Sequence, residues 1–286
     1  MTTLAPAARA GRLAVVLGEV RKLPAFVRRD FLVAWSYRLS FVTEWASLLL
    51  QAFMFYFIGL MVDPGKLPAF GGSQATYMEF VAVGIALSGF MHLALGRVAS
   101  GIRNEQLAGT LESLMMTPTA SATIQVGTVV YDLLYIPLRT GLFFLLVAVG
   151  FGLHFEPSGI LPATVVLLAF IPFVWGIGIA TAGGILTFRR GAGGAAFGVT
   201  VLTLFSGAYF PLELLPDWVS NLARFNPIAI VVDGMRQPLL GGTGWVDTGA
   251  DVLVLLPLSA ASLALGVTAF RLALRRERRR GSLSLY

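Results

Sequence analysis

The chain has no cysteine and only two histidines among its 286 residues. Without cysteine there can be no disulfide scaffold and no thiolate metal centre, and the redox compartment stays open. Charge is also scarce: 13% of residues are charged and 56% are hydrophobic, against about 25% and 45–50% in a soluble domain. Disorder and a coiled coil both need more polar sequence than this. At a mean hydropathy of +0.79 one globular core cannot hide the apolar surface, so lipid must be the solvent for much of the chain.

Recognisable catalytic and nucleotide-binding motifs are missing too. There is no G-x-S-x-G elbow and no H-E-x-x-H pair. His92 and His154 lie far apart, with no partner at ligand spacing. A phosphate-binding loop is absent, because Gly65-Lys66 runs into Leu67 and the glycine-rich stretch 191–198 has no following Lys-Ser/Thr. That stretch reads instead as close helix packing. A chain without such a loop is expected to bind no cofactor itself, so active transport would draw on an ion gradient or on another subunit.

What the sequence does contain is long apolar runs. A spanning helix needs about 20 apolar residues, and six candidates follow: Leu39–Val62, Phe80–Val98, Gln125–Phe151, Ile160–Phe188, Ala195–Phe210 and Val252–Leu274. The fifth is short and stops at Pro211. Residues 1–38 carry basic groups throughout and lack the pattern of a cleavable signal. The net charge of +6 would suggest nucleic acid in a soluble protein. Here seventeen of the 21 Lys and Arg residues fall on one side of a six-span topology. The positive-inside rule then places both termini in the cytoplasm.

Three segments do not fit plain spans. Residues 24–38 open with Pro24, place Phe31, Ala34 and Trp35 near one face, and offer Arg28, Arg29 and Arg38 along a basic edge. This reads as a helix lying in the membrane interface; the alternative is an extended start of the first span. In Arg103–Met116, Leu107, Leu111, Leu114 and Met115 follow helical spacing, and Glu105 and Glu112 share another face. Thr117-Pro118 stops the helix. Such an element suits docking, although an ordinary helical loop has the same composition. The third segment, from Pro211 to Gly244, is broken by Pro211, Pro216, Pro227 and Pro238. It is too interrupted for one span and too apolar for a free loop, which predicts short helices at or in the outer leaflet. Asp217 before Trp218 is a plausible helix start, with Trp218 suited to the interface.

Ionisable groups inside spans point to function by default, and Asp132 and Arg139 are the clear instances, both in the third span. Seven residues separate them by about 10.5 Å along a helix, too far for a simple pair. An interhelical structural contact is the favoured role, with a substrate-pathway role as the alternative. Ser206-Gly207 lacks the opposing base of a serine nucleophile. Asp233-Gly234 with Arg236 lacks the further aspartates of a metal-dependent phosphotransferase.

The docking helix and the broken segment, taken together, resemble a known family. Gly109–Ser121 (GTLESLMMTPTAS) is similar to the coupling segment of type-2 ATP-binding cassette exporter permeases. Ser206–Arg236 is similar to that family's fifth-span end and extracellular re-entrant helices. The resemblance implies an all-α polytopic fold with six transmembrane helices, an N-terminal interfacial helix, a cytoplasmic coupling helix and re-entrant helices between spans five and six. Residues 1–286 would form a single permease domain, with 1–38 as the cytoplasmic N-terminus, 39–274 as the six-span region and 275–286 as a basic tail.

The family further implies a plasma-membrane exporter of drug-like, lipid-linked or glycan cargo in bacteria, related to drug, polysaccharide and teichoic-acid exporters. Two permease copies, or this chain with a similar one, would form the pathway, and two separate ATPase subunits would bind ATP and Mg beneath it. Arg103, Glu105, Leu107, Gly109, Thr110, Leu111, Glu112, Leu114 and Met115 would meet the ATPase. Pro211, Glu213, Pro216, Asp217, Trp218, Asn226, Pro227, Asp233 and Arg236 would build the extracellular segment. A gradient-driven transporter or channel and an intramembrane enzyme are the rival readings. The first calls for more buried charge and an internal repeat, and the second for a convergent site.

Overall fold

The structure is a computed structural model that describes residues 18, 20–63, 65, 67–70, 73–107, 121–188, 192–223, 225–242 and 244–280. Nearly all of it is helical, as the hydropathy pattern predicts. In chain order the helices are α1 (Leu23–Ser36), α2 (Arg38–Gly59), α3 (Tyr77–Leu107), α4 (Ser121–Phe151), α5 (Ile160–Phe188), α6 (Ala192–Leu204), α7 (Asp217–Ala223), α8 (Pro227–Gly241) and α9 (Trp245–Arg280). A two-stranded antiparallel ribbon, β1 (Ala69–Phe70) and β2 (Ser73–Gln74), pairs Ala69 with Gln74 between α2 and α3. Single 3-10 turns at Pro157–Gly159 and Leu212–Leu214 precede α5 and α7.

Five helices contain stretches long and apolar enough to cross a membrane: Phe41–Gly59, Tyr77–Gly96, Leu134–Phe151, Pro157–Ile185 and Trp245–Ala273. The chain is a multi-pass membrane protein. The expected crossing at Ala195–Phe210 differs, because α6 holds 13 residues and ends at Leu204. At 1.5 Å per residue it covers about 20 Å of a hydrocarbon layer about 30 Å thick. Residues 205–210 turn instead of continuing the helix. α9 also departs from its expected bounds, starting at Trp245 and so taking Asp247 and Asp251 into the helix.

The chain divides into two compact units, Met1–Glu44 with Gly101–Tyr135 and Trp45–Ser100 with Ile136–Tyr286. In the first, α1 is a helix of its own, with Pro24 in its opening turn and a break at Tyr37 (φ −93°, ψ 56°). Phe31 and Trp35, four residues apart, stack with centroids 6.2 Å apart, and the Arg38 guanidinium lies 5.6 Å over the Trp35 ring. Arg29 pairs with Asp30 at 2.8 Å. None of α1 is buried.

In the second unit, Leu48 and Ala52 of α2, Met78, Val81, Ala82, Ile85 and Ala86 of α3, and Phe143 and Val147 of α4 make one buried cluster. The head of α3 is tied by a reciprocal cap. Glu79 Oε2 accepts from the Thr76 backbone N–H at 2.8 Å, and Thr76 Oγ1 accepts from the Glu79 N–H at 3.3 Å. This Thr-x-x-Glu box satisfies two N–H groups that a helix start leaves orphaned, and it starts α3 three residues before the expected Phe80.

α5 and α9 pack by a different chemistry. Lipid tails are as apolar as leucine, so helices in a membrane associate through close contact and interhelical hydrogen bonds. Ser259 and Ser262 donate across to the Ala169 and Phe173 carbonyls at 2.8 and 2.9 Å. Gly266 rests against the carbonyl of Gly176. The glycine-rich stretch 191–198 behaves otherwise than expected: a Cβ added at Gly193, Gly194 or Gly198 would meet nothing within 4 Å. Among the described residues the close helix approaches are at glycines outside that run, such as Gly84, Gly176 and Gly266.

Candidate functional site

Where α6 ends, backbone polar groups are released that lipid cannot satisfy. Gly207 takes φ +73°, a conformation that glycine adopts without a side-chain clash. Three successive carbonyls, of residues 207, 208 and 209, then face side chains rather than a continuing helix. α8 supplies the main donor. Arg236 Nε donates to the Phe80 carbonyl at 2.9 Å, Nη1 to Gly207 at 2.9 Å and Nη2 to Ala208 at 2.8 Å. Its guanidinium carbon lies 3.6 Å from the centroid of the Phe80 ring.

The third carbonyl, of Tyr209, accepts from the Tyr77 hydroxyl at 2.9 Å. The Tyr209 hydroxyl lies 2.7 Å from Ser88 Oγ, and Ser88 Oγ lies 2.7 Å from the Gly84 carbonyl. Serine has one hydroxyl proton; spent on Gly84, it leaves Tyr209 as donor to Ser88. Tyr209 also stacks on Phe55 at 5.2 Å with planes 2° apart. Close to this network, Gly84 approaches the Ala208 backbone so nearly that no Cβ fits between them.

α8 is held in place at both ends. Asn226 caps it, its side chain accepting from the Ile228 N–H at 3.0 Å and donating to the Leu202 carbonyl at 2.7 Å. One amide thus starts α8 and satisfies the last turn of α6. Pro227 occupies the opening turn, and at the far end the Leu239 carbonyl accepts from the Glu156 N–H at 2.8 Å.

Arg236 is 1% exposed, the bulkiest of the fully buried side chains. Its nearest anion, Asp233 Oδ1, stands 3.7 Å away on a side chain that is half exposed. Burial lowers the Arg236 pKa to about 9 while Asp233, Glu213 and Tyr77 resist the fall, so it stays protonated at neutral pH. Burial likewise pushes Asp233 up to about 6, against the pull of Arg236 and aided by Glu213 and Asp251. The open half of the Asp233 side chain lets solvent screen these influences. A planar fork meeting three carbonyls is the geometry for which arginine is suited and lysine is not.

The expected broken segment is therefore present as the Leu212–Leu214 turn, α7 and α8, and the structure distributes its residues unevenly. Asn226, Asp233 and Arg236 join the cluster, and Pro211 is buried beside it, following the clamped residues. Glu213, Pro216 and Asp217 are exposed, and Trp218 is 73% exposed. Asp217 opens α7 as expected. Ser206 is buried and donates to the Thr203 carbonyl at 2.7 Å, while His92 Nδ1 contacts the Ser88 carbonyl at 2.8 Å.

In the membrane interior, Arg139 is buried with its guanidinium 5.8 Å over the Trp45 ring, and Gly89 of α3 lies close by. The side chain of Asp132 lies outside the described residues, as do Gly109, Thr110, Leu111, Glu112, Leu114 and Met115. Arg103, Glu105 and Leu107 are helical in backbone, with side chains outside the description. Sequence reasoning missed Tyr77, Phe80, Gly84, Ser88 and Tyr209, and it counted Arg236 as a loop cation. The available signal was a lone arginine in the apolar run PIAIVVDGMRQPLL, three residues after an aspartate.

Comparison with known proteins places these features in one lineage. The family described as ABC-2 type transporter matches residues 21–240, which takes in α1, the Arg103–Met116 segment and Arg236. The linearmycin resistance permease protein LnrN of Bacillus subtilis (strain 168) is 24% identical over 202 residues, covering 70% of this chain and 51% of that protein. The chain thus spans about half the length of that curated relative. With more than half of its residues matched in one continuous stretch, the chain belongs to the ABC-2 type transporter family, among its membrane permeases.

Proposed function

We propose that this permease is the membrane half of an ATP-driven exporter in a bacterial plasma membrane. α6 with its flanking residues makes the sixth crossing, both termini are cytoplasmic, and the Arg236 cluster with α7 forms the extracellular end. The permease acts with a second copy or a similar chain. Two ATPase subunits, which bind ATP and Mg, dock on the Arg103–Met116 segment and drive rearrangement of the pair. α1 lies in the cytoplasmic interface, its exposed Phe31 and Trp35 toward lipid and its arginines toward anionic headgroups. The cargo is drug-like, a preference that the resistance permease supports through its name alone.

The observation that carries this reading is the family match over residues 21–240. It contains both the docking segment and the clamped segment, in the order expected of one permease. Gentle purification of the tagged chain should bring an ATPase subunit with it. Leu111→Asp should release that subunit while the permease still reaches the membrane, because burying an apolar side chain of this size is worth about 1.5–3 kcal/mol. Glu112→Lys should weaken coupling with less effect on assembly, since rim charges set register more than affinity. Sealed vesicles should move cargo with ATP and not with an imposed proton gradient alone. Transport driven by the gradient, with no ATPase subunit recovered, would overturn the reading in favour of a secondary transporter.

A further inference from the structure

Two helices and one non-helical stretch converge on a single side chain whose role the export reading leaves open. Phe80 on α3, Gly207 and Ala208 beyond α6, and Arg236 itself on α8 are joined by three charge-assisted hydrogen bonds of 2.8–2.9 Å. Next to them, the Tyr77–Tyr209–Ser88 chain and the Gly84–Ala208 approach close the same seam between α3 and residues 205–209. The Gly207 and Ala208 carbonyls are there because α6 stops, and Arg236 is their donor, while the Phe80 carbonyl takes Arg236 in addition to its own bond inside α3. Parting the seam would strand a buried guanidinium and the carbonyls of Gly207, Ala208 and Tyr209 at once, and a partly satisfied polar network costs more than an apolar one.

We propose that Arg236 is a positioning residue that fuses the head of α3, residues 205–209 and α8 into one rigid body that moves as a whole during transport. The inference rests on the export reading for its functional meaning. Its consequence is specific: cargo does not leave along the α3/205–209 seam, and the opening lies elsewhere on the outer face.

The natural absence of cysteine makes the test direct. Ser206 is 0% exposed and Trp218 is 73% exposed. Ser206→Cys exchanges one small buried side chain for another, and Trp218→Cys is the accessible control. The permease with its bound ATPase, in right-side-out vesicles loaded with ATP and vanadate, is treated from outside with an impermeant maleimide. We expect Trp218→Cys to label throughout and Ser206→Cys to stay unlabelled at rest, during turnover and in the vanadate-trapped state. Adding Arg236→Lys, which keeps the charge and loses the fork, should raise Ser206→Cys labelling at least tenfold and lower cargo exported per ATP. Tyr77→Phe, which removes one donor, should raise labelling by less.

Nucleotide-dependent labelling of Ser206→Cys with Arg236 intact would show that the seam opens, and would overturn the proposal even if Arg236→Lys failed to fold. Labelling unchanged by both Arg236→Lys and Tyr77→Phe would overturn it as well. Failure of ATP-driven transport would sink the export reading alone, because the resting and Arg236→Lys measurements need no transport.

Discussion

The crossing of α5 and α9 offers a perturbation whose size follows from geometry. A Cβ added at Gly266 would fall against the Gly176 carbonyl oxygen, 2.8 Å from its carbon and 3.0 Å from its Cα. All three are backbone atoms in the middle of a helix, so no rotamer change relieves the clash. Ordinary contact begins near 3.4 Å, so the carbonyl carbon must retreat by more than half an ångström and the oxygen by more. Overpacking of this kind costs about 1–3 kcal/mol. The retreat also stretches the Ser259 and Ser262 bonds to α5, now 2.8 and 2.9 Å, and interhelical bonds in membranes average about 0.6 kcal/mol each. Gly266→Ala should therefore cost roughly 2–4 kcal/mol. Gly198→Ala, where an added Cβ meets nothing, should be neutral or slightly stabilising through helix propensity. Thermal unfolding in one detergent, followed by the folded fraction on size exclusion, compares the two. Equal melting temperatures for Gly266→Ala and the native chain would refute the packing argument. A Gly198→Ala loss as large as that of Gly266→Ala would refute it too.

A cysteine at Ser73 should react with an impermeant reagent outside sealed cells and one at Ser282 should not; labelling of both from one side contradicts the six-crossing topology. Arg139→Leu should lower folded yield, since a desolvated cation over an aromatic ring contributes about 2 kcal/mol and Arg139 lies 5.8 Å over Trp45; normal yield with lost transport would assign it to the pathway instead. Asp233 has a folded pKa of about 6 against an ordinary 3.8, so the folded state holds its proton more tightly than the unfolded chain does. Its contribution to stability is complete below about pH 4 and is lost as pH rises through about 6. Melting temperatures across that window should thus fall less steeply for Asp233→Asn than for the native chain, and a steeper fall would contradict the assignment.

The spans were legible because hydropathy is a local property. Ile160–Phe188 has the same limits in sequence and structure, and the α4 helix ends at the expected Phe151. The early start of α3 was also written locally, in Thr76-x-x-Glu79, and was overlooked. α6 could not be read, because what ends it is distant. Apolar residues continue to Phe210, yet the carbonyls of 207 and 208 are satisfied from position 236 and that of 209 from position 77. Glycine misled for a related reason: density in sequence says nothing about which face meets a neighbour. The run 191–198 is open where described, whereas Gly84, Gly176 and Gly266, outside that run, touch backbone. Arg236 was visible as a residue and invisible as a hub, since charge counts by loop assume that a loop cation faces water.

The clamp also has a consequence in time. A helix closes its own hydrogen bonds as it is made, but the Gly207 carbonyl waits 29 residues for its arginine, and the Tyr209 carbonyl binds a hydroxyl made 132 residues earlier. During synthesis the early helices enter the bilayer before α8 exists, with the head of α3 not yet covered by it. A nascent chain halted short of residue 236 carries most of its spans and none of this closure, leaving bare carbonyls at 207 and 208. Such a chain also lacks α9 and leaves the Ala169 and Phe173 carbonyls of α5 without their serine donors, so residues 236–286 close two separate seams.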